Sequence, residues 1–439
     1  MALGSQPSRV VDSRVAPAPR ALPLVGGARL PLAFIALGLF ALGTGLLWLV
    51  LDGSLIHLPY LHPRVVACVH LWLPGFLLSA AIGALYQLMP VVLGTPLQAA
   101  SSALWVHFGA HATGVTAMVI GFFHGRFDWV AAGGSLVAAG AFFLFFTVLT
   151  TFMKASRRDV AAWSFPLATG WLALTVSAGL ALASNRHATW LPLSAVDLLH
   201  AHAHLGLAGF FLTLLQGTTF QLVPMFTMGE PRRGRLAWCG LLATQTGLPV
   251  LAAGFALDLP FGAVTGAVIL LIGVVCTLSA LRATLRTRRR RALEPGLKAF
   301  VSGFWLLAIA AAGGVVLLLA SLDSTAGPKA ITAYGIALIA GALSLCILGM
   351  LCKIIPFLVW MRAYGPKVGK QTVPLATSLA SKRLEAAWFY SHVGAIGILV
   401  PGILLSSRAL TLLGATFLAG AVGAFLVNVV RILRHLGNR

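Results

Sequence analysis

The segment His204-Leu-Gly-Leu-Ala-Gly209-Phe210, followed by Gly217 and by Gln221-Leu-Val-Pro224, has a near copy earlier in the chain. The copy reads His70-Leu-Trp-Leu-Pro-Gly75-Phe76, then Gly83 and Gln87-Leu-Met-Pro90. Histidine, Gly-Phe, Gly, Gln-Leu and Pro fall at the same offsets in both. Each copy runs through an apolar stretch long enough to cross a bilayer. Two membrane helices thus carry an imidazole at one height, and ionisable residues inside a membrane span are functional-site candidates by default. A third copy at these offsets gives Ile336, Gly341, Gly349, Lys353 and Pro356, so the glycines and the proline persist while the histidine is lost.

The surrounding composition agrees. Of 439 residues, 59% are hydrophobic and 9% charged, where soluble domains carry roughly a quarter charged residues. Windows of about 20 residues predict spans near 31–51, 65–93, 102–123, 129–153, 161–183, 197–228, 236–257, 260–281, 297–320, 329–360, 385–405 and 409–431. The formal charge of +21 suggests a nucleic-acid partner, but the basic residues sit in short loops and tails between apolar runs, at 154–158, 232–235, 282–291, 367–383 and 431–439. Clusters so placed orient a membrane protein, and they put both termini in the cytoplasm. The partner implied is the lipid bilayer, with no nucleic acid.

Residues 1–30 mix Ser, Pro, Ala and Arg without periodicity and read as a disordered cytoplasmic tail. Residues 31–432 read as one transmembrane domain, and 433–439 as a basic tail. The three copies fall on spans 2, 6 and 10, so the expectation is an all-α polytopic bundle of three four-helix repeats, about 31–155, 156–290 and 297–432.

Most of the twelve histidines cluster on spans 2, 3 and 6. His200 and His204 are four apart and share a helix face, while His202 points elsewhere. Asp197, three before His200, is placed to orient that imidazole. His107 and His111 on span 3 again share a face. A lone intramembrane histidine is ordinarily a neutral hydrogen-bonding group between helices. Several at comparable depth, two of them repeat-equivalent, favour ligation of haem iron or copper. All ten acidic residues fall in the tail, in loops or near span ends, which argues against a proton pump. The five cysteines read as small buried hydrophobes, although Cys346, Met350 and Cys352 lie close on one helix and offer soft sulfur to Cu(I).

The string His202-Ala-His204, Gly209-Phe210, Gly217, Phe220 and Pro224 resembles the helix of haem–copper oxidase subunit I that bears two haem ligands, nearest the cbb-type oxidase and nitric oxide reductase branch. It equally resembles the His-rich early helix of the NnrS family of membrane haem proteins. The resemblance implies a pseudo-threefold, oxidase-like bundle of about twelve spans in a bacterial inner membrane. It implies His204 as an axial haem ligand, His202 as ligand of a second haem, and His107 and His111 in the copper region. His70, equivalent to His204 by the internal repeat, is expected to oppose it, and His200 joins the metal candidates. Span 10 lacks histidine, span 7 lacks a His-His pair, and the cross-linkable tyrosine and channel acids are absent, which points away from a pumping terminal oxidase. The expectation is a haem-binding, potentially copper-binding, protein of respiratory or nitric-oxide redox chemistry served by an electron-donor protein. The alternatives are a copper or haem transporter or chaperone, and a non-catalytic oxidase-like subunit.

Overall fold

The computed structural model describes residues 27–186, 189–230, 234–289, 292–322 and 327–437. The protein is an all-α, multi-pass membrane protein, without strands among the described residues. Twelve helices are long and apolar enough to span a bilayer: α1 Arg29–Leu51, α2 Pro63–Leu93, α3 Ser101–His124, α4 Phe127–Met153, α5 Val160–Asn185, α6 Ala195–Thr227, α7 Gly234–Ala256, α8 Pro260–Arg286, α9 Pro295–Ser321, α10 Pro328–Ala363, α11 Lys382–Leu404 and α12 Arg408–Leu436. Most of the N-terminal tail, together with His187, Asp323 and Arg290-Arg291, lies outside the described residues.

Local chemistry sets the helix ends. Proline opens α2, α8, α9 and α10, where its missing N–H costs nothing. The Asp159 carboxylate accepts the Ala162 N–H at the start of α5, and the Ser194 hydroxyl accepts that of Asp197 at the start of α6. Gly94 and Gly125, both left-handed, close α2 and α3. The repeated prolines Pro90 and Pro224 stand three residues from the ends of α2 and α6, whereas α10 continues past Pro356 to Ala363.

Packing repeats every four helices. The tightest neighbours are α3 with α4, α7 with α8 and α11 with α12. The same spacing joins α4 to α5, α8 to α9 and α12 to α1, which closes a ring. Close approach in α7/α8 depends on small residues: a Cβ at Gly247 would stand 2.9 Å from the Leu270 backbone nitrogen. Gln216 of α6 ties this pair inward, donating through Nε2 to the Gly240 carbonyl, Thr244 Oγ1 and Thr277 Oγ1 at 2.9–3.1 Å. The repeated helices α2 and α10 meet inside the ring, and α10 is the most buried span. Lys353 near the basic end of α10 forms an ion pair with Glu294, at the start of α9.

Candidate functional site: imidazoles and a cavity beside π-turns

The helix repeat is most visible in a rare backbone feature. Immediately after His70, His204 and Ile336 the α-helix loosens into a π-helix, over Leu71–Leu78, Leu205–Leu212 and Ala337–Leu343. A π-turn spreads its hydrogen bonds to the fifth residue and is seldom retained without a role. In each case the next residue carries a hydroxyl that donates to the carbonyl five positions back. Ser79 reaches Pro74 at 3.3 Å, Thr213 reaches Ala208 at 3.5 Å, and Ser344 reaches Ile339 at 2.8 Å. Pro74, having no N–H, removes one competing helical bond. Each π-turn glycine packs on the first helix of its own unit: Gly75 on Ala41, Gly209 on Trp171 and Gly341 on Leu306.

The imidazoles beside these turns are held alike. His70 Nδ1 bonds the Val66 carbonyl at 2.8 Å, His204 Nδ1 the His200 carbonyl at 2.8 Å, and His202 Nδ1 the Thr175 carbonyl at 2.9 Å. A carbonyl only accepts, so each Nδ1 carries the proton and each Nε2 presents a lone pair. None of these three Nε2 atoms has a hydrogen-bond partner among the described residues, and none is fully enclosed. This is the tautomer and orientation that metal-ligating histidines use.

The rings then separate into two groups, only one of which faces a described cavity. His70 lies against Phe122 of α3 with centroids 4.7 Å apart, and its imidazole neighbour within electrostatic range is His202. His202 rests on Gly179, where a Cβ would come within 3.0 Å of its Cε1. Phe122 in turn meets Phe127 at 6.5 Å, and the Arg186 guanidinium sits 4.1 Å over the Phe127 ring. His204 instead lies against Phe255 of α7 at 5.1 Å, with His200 on the same ring at 5.4 Å. His200 also stacks with Tyr60. His200 and His204 face a cavity of about 360 Å³ between α6 and α10, lined also by Asp197, Asp258, Phe255 and Tyr334. The remaining lining is apolar except for Ser321, with no Lys or Arg.

His204 lines the cavity and His70 does not, and the imidazole that acts on His70 through charge is His202. Asp197 shares the cavity with His200 but acts on it through charge, without a hydrogen bond between the two. His107 and His111 lie apart from His200, buried between α1, α2 and α3. His107 Nδ1 pairs with Tyr86 Oη at 2.6 Å, and His111 Nε2 with Ser79 Oγ at 2.9 Å, so His111 braces the end of the first π-turn. His107 Nε2 is buried without a partner, against Gly140. Among the described residues no three of His, Cys, Asp and Glu converge as a metal-holding group. Cys346 donates to the Phe300 carbonyl within the core.

Sequence reasoning missed Phe122, Phe255, Gly179, Gly314 and Tyr334. The phenylalanines stand at nearly the spacing that separates His70 from His204, so extending the repeat into α3 and α7 would have found them. The hydroxyls that end the π-turns carry no such signal, because serine and threonine are common in membrane helices.

The two groups of imidazoles suit a haem differently. The first, His70 and His202, offers two lone-pair imidazoles and, through the Phe122–Phe127 contact, a nearby guanidinium suited to a carboxylate. The second offers apolar volume and an imidazole, but only carboxylates at its mouth. Compared with protein-family models and with characterised proteins, the sequence gives no match.

Proposed function

We propose that this protein is a haem-binding integral membrane protein of respiratory or nitric-oxide-related redox chemistry, with its termini on the cytoplasmic side of a bacterial inner membrane. The observation that carries the reading is the anchored tautomer: His70 and His202, from successive repeat units, each hold the proton on Nδ1 against a backbone carbonyl and leave Nε2 available. These two side chains would hold the group, and Arg186 would meet its carboxylate edge. Haem bound there would supply one-electron and gas-binding chemistry.

The chain's own contribution is positional. The Val66 and Thr175 carbonyls fix ring orientation, Phe122 walls one face, and the π-turn glycine brings its helix close to its neighbour. No acidic residue lies at mid-membrane, which favours electron transfer, gas binding or detoxification over proton pumping. Copper has less support, because His107, His111 and His200 engage separate partners. The electron donor would be a separate respiratory protein.

Purified full-length protein, expressed with ample haem, should show a Soret band and about one haem per chain by pyridine haemochrome. His70→Ala and His202→Ala should each lower haem affinity by about tenfold or more, and His107→Ala should leave it unchanged. Haem-free wild-type protein, or full retention in the His70→Ala/His202→Ala double variant, would end this reading.

A further inference from the structure

The cavity between α6 and α10 has no part in that proposal, and its charge is unexpected. The chain carries 31 Lys and Arg against 10 Asp and Glu, yet the carboxylates and imidazoles around this cavity are Asp197, Asp258, His200 and His204, with no Lys or Arg. Asp197 stands on the first turn of α6 and Asp258 in the turn between α7 and α8, so both carboxylates sit at the mouth formed by the loops opposite the basic clusters. Below them the walls are leucine, alanine, glycine and valine. Phe255 and Tyr334 add aromatic faces, and His204 Nε2 adds an acceptor without a partner.

We infer that this cavity binds a lipophilic organic cation, with its apolar body between α6 and α10 and its charge beside Asp197 and Asp258. An anion of the same shape would leave water for a site that offers two carboxylates and no countercharge, a costly transfer. A cation gains from the carboxylates and from the aromatic faces. A volume near 360 Å³ falls within the range of sites for small organic ligands. Tyr334 marks the cavity as specialised: it takes the repeat position that His202 holds in the preceding unit, so the third unit contributes a phenol where the second contributes an imidazole.

The probes are tetraphenylphosphonium and its near-isosteric anion tetraphenylborate. Saturable binding to the full chain in detergent is measured by equilibrium dialysis against protein-free micelles. The cation should bind about one per chain and the anion should neither bind saturably nor displace it. Asp197→Asn should weaken the cation by about tenfold, and the Asp197→Asn/Asp258→Asn double variant by more. Gly314→Leu, which pushes against Tyr334, should abolish binding, whereas His70→Ala should leave it intact. Equal binding of both ions, or an unaltered cation affinity in the double Asn variant, would overturn the inference. Haem content in the same preparations reports separately on His70 and His202, so either proposal can fail while the other stands.

Discussion

His202 and Tyr334 occupy equivalent places in successive repeat units. Each stands three residues before the residue that opens a π-turn, and each lies against a glycine of the preceding helix: Gly179 beneath His202 and Gly314 beneath Tyr334. One backbone design thus presents an imidazole near His70 and a phenol to the cavity that His204 lines. Gly179 carries the clearest consequence. A Cβ there would press within 3.0 Å of the His202 ring, so Gly179→Val should turn the imidazole away. The expected result is haem loss comparable to His202→Ala, with a stability cost of about 1–3 kcal/mol from overpacking. Soret absorbance alongside thermal unfolding in detergent measures both, and full haem retention would contradict the placement of His202.

The π-turns should differ in their dependence on the hydroxyl. Ser79 donates to Pro74 and also meets His111, whereas Thr213 makes one long bond to Ala208. Ser79→Ala should cost about 1–3 kcal/mol because it also strands a buried imidazole, and Thr213→Val markedly less. Denaturant unfolding of the two variants in one detergent checks the order. The reverse ranking would show that Ser79 does not hold the turn.

Gly247→Val tests the close packing of α7 and α8. The added carbons meet the Leu270 nitrogen and the Gly266 carbonyl, which are backbone and cannot swing aside. A loss of about 3 kcal/mol or more is expected, while Gly43→Val, where nothing lies within 4 Å of the Cβ position, should be close to neutral.

Lys353→Ala should destabilise through the Glu294 charge it leaves behind. A buried pair broken on one side costs about 3–5 kcal/mol, and partial exposure of Glu294 puts this case at or below the lower limit. The Lys353→Met/Glu294→Gln double variant should recover much of the loss, and a double variant no better than the single would refute the pairing.

The loop between α1 and α2 carries a pH-sensitive clip. The Ser54 hydroxyl bonds the Asp52 carboxylate at 2.6 Å and Arg64 pairs with it, together holding its pKa below the ordinary 3.8 despite partial desolvation. A depressed carboxylate stabilises above its unfolded value, and the contribution disappears as pH falls through the lower folded value. Proteolysis of this loop should therefore accelerate as pH drops from about 5 to below 3.8 in wild type, when measured with an acid-active protease. Asp52→Asn should be susceptible throughout and show little pH dependence.

Legibility in the sequence followed the range of the forces involved. Apolar length alone determined twelve membrane helices, and the repeated His, Gly and Pro offsets placed His70 and His204 at equivalent heights, because both depend on neighbours along one chain segment. Helical periodicity also separated His202 from the face shared by His200 and His204, as the structure bears out. Tertiary structure alone decided which imidazole meets which partner. Three π-turns, each ended by a hydroxyl bond, alter the facing of everything beyond them, and Phe122, Phe255, Gly179 and Gly314 arrive from helices distant in sequence. Equivalence under a repeat brings two residues to the same level of the bundle, but it also rotates them toward different neighbours. For that reason His70 neighbours His202, while His204 faces a cavity of its own.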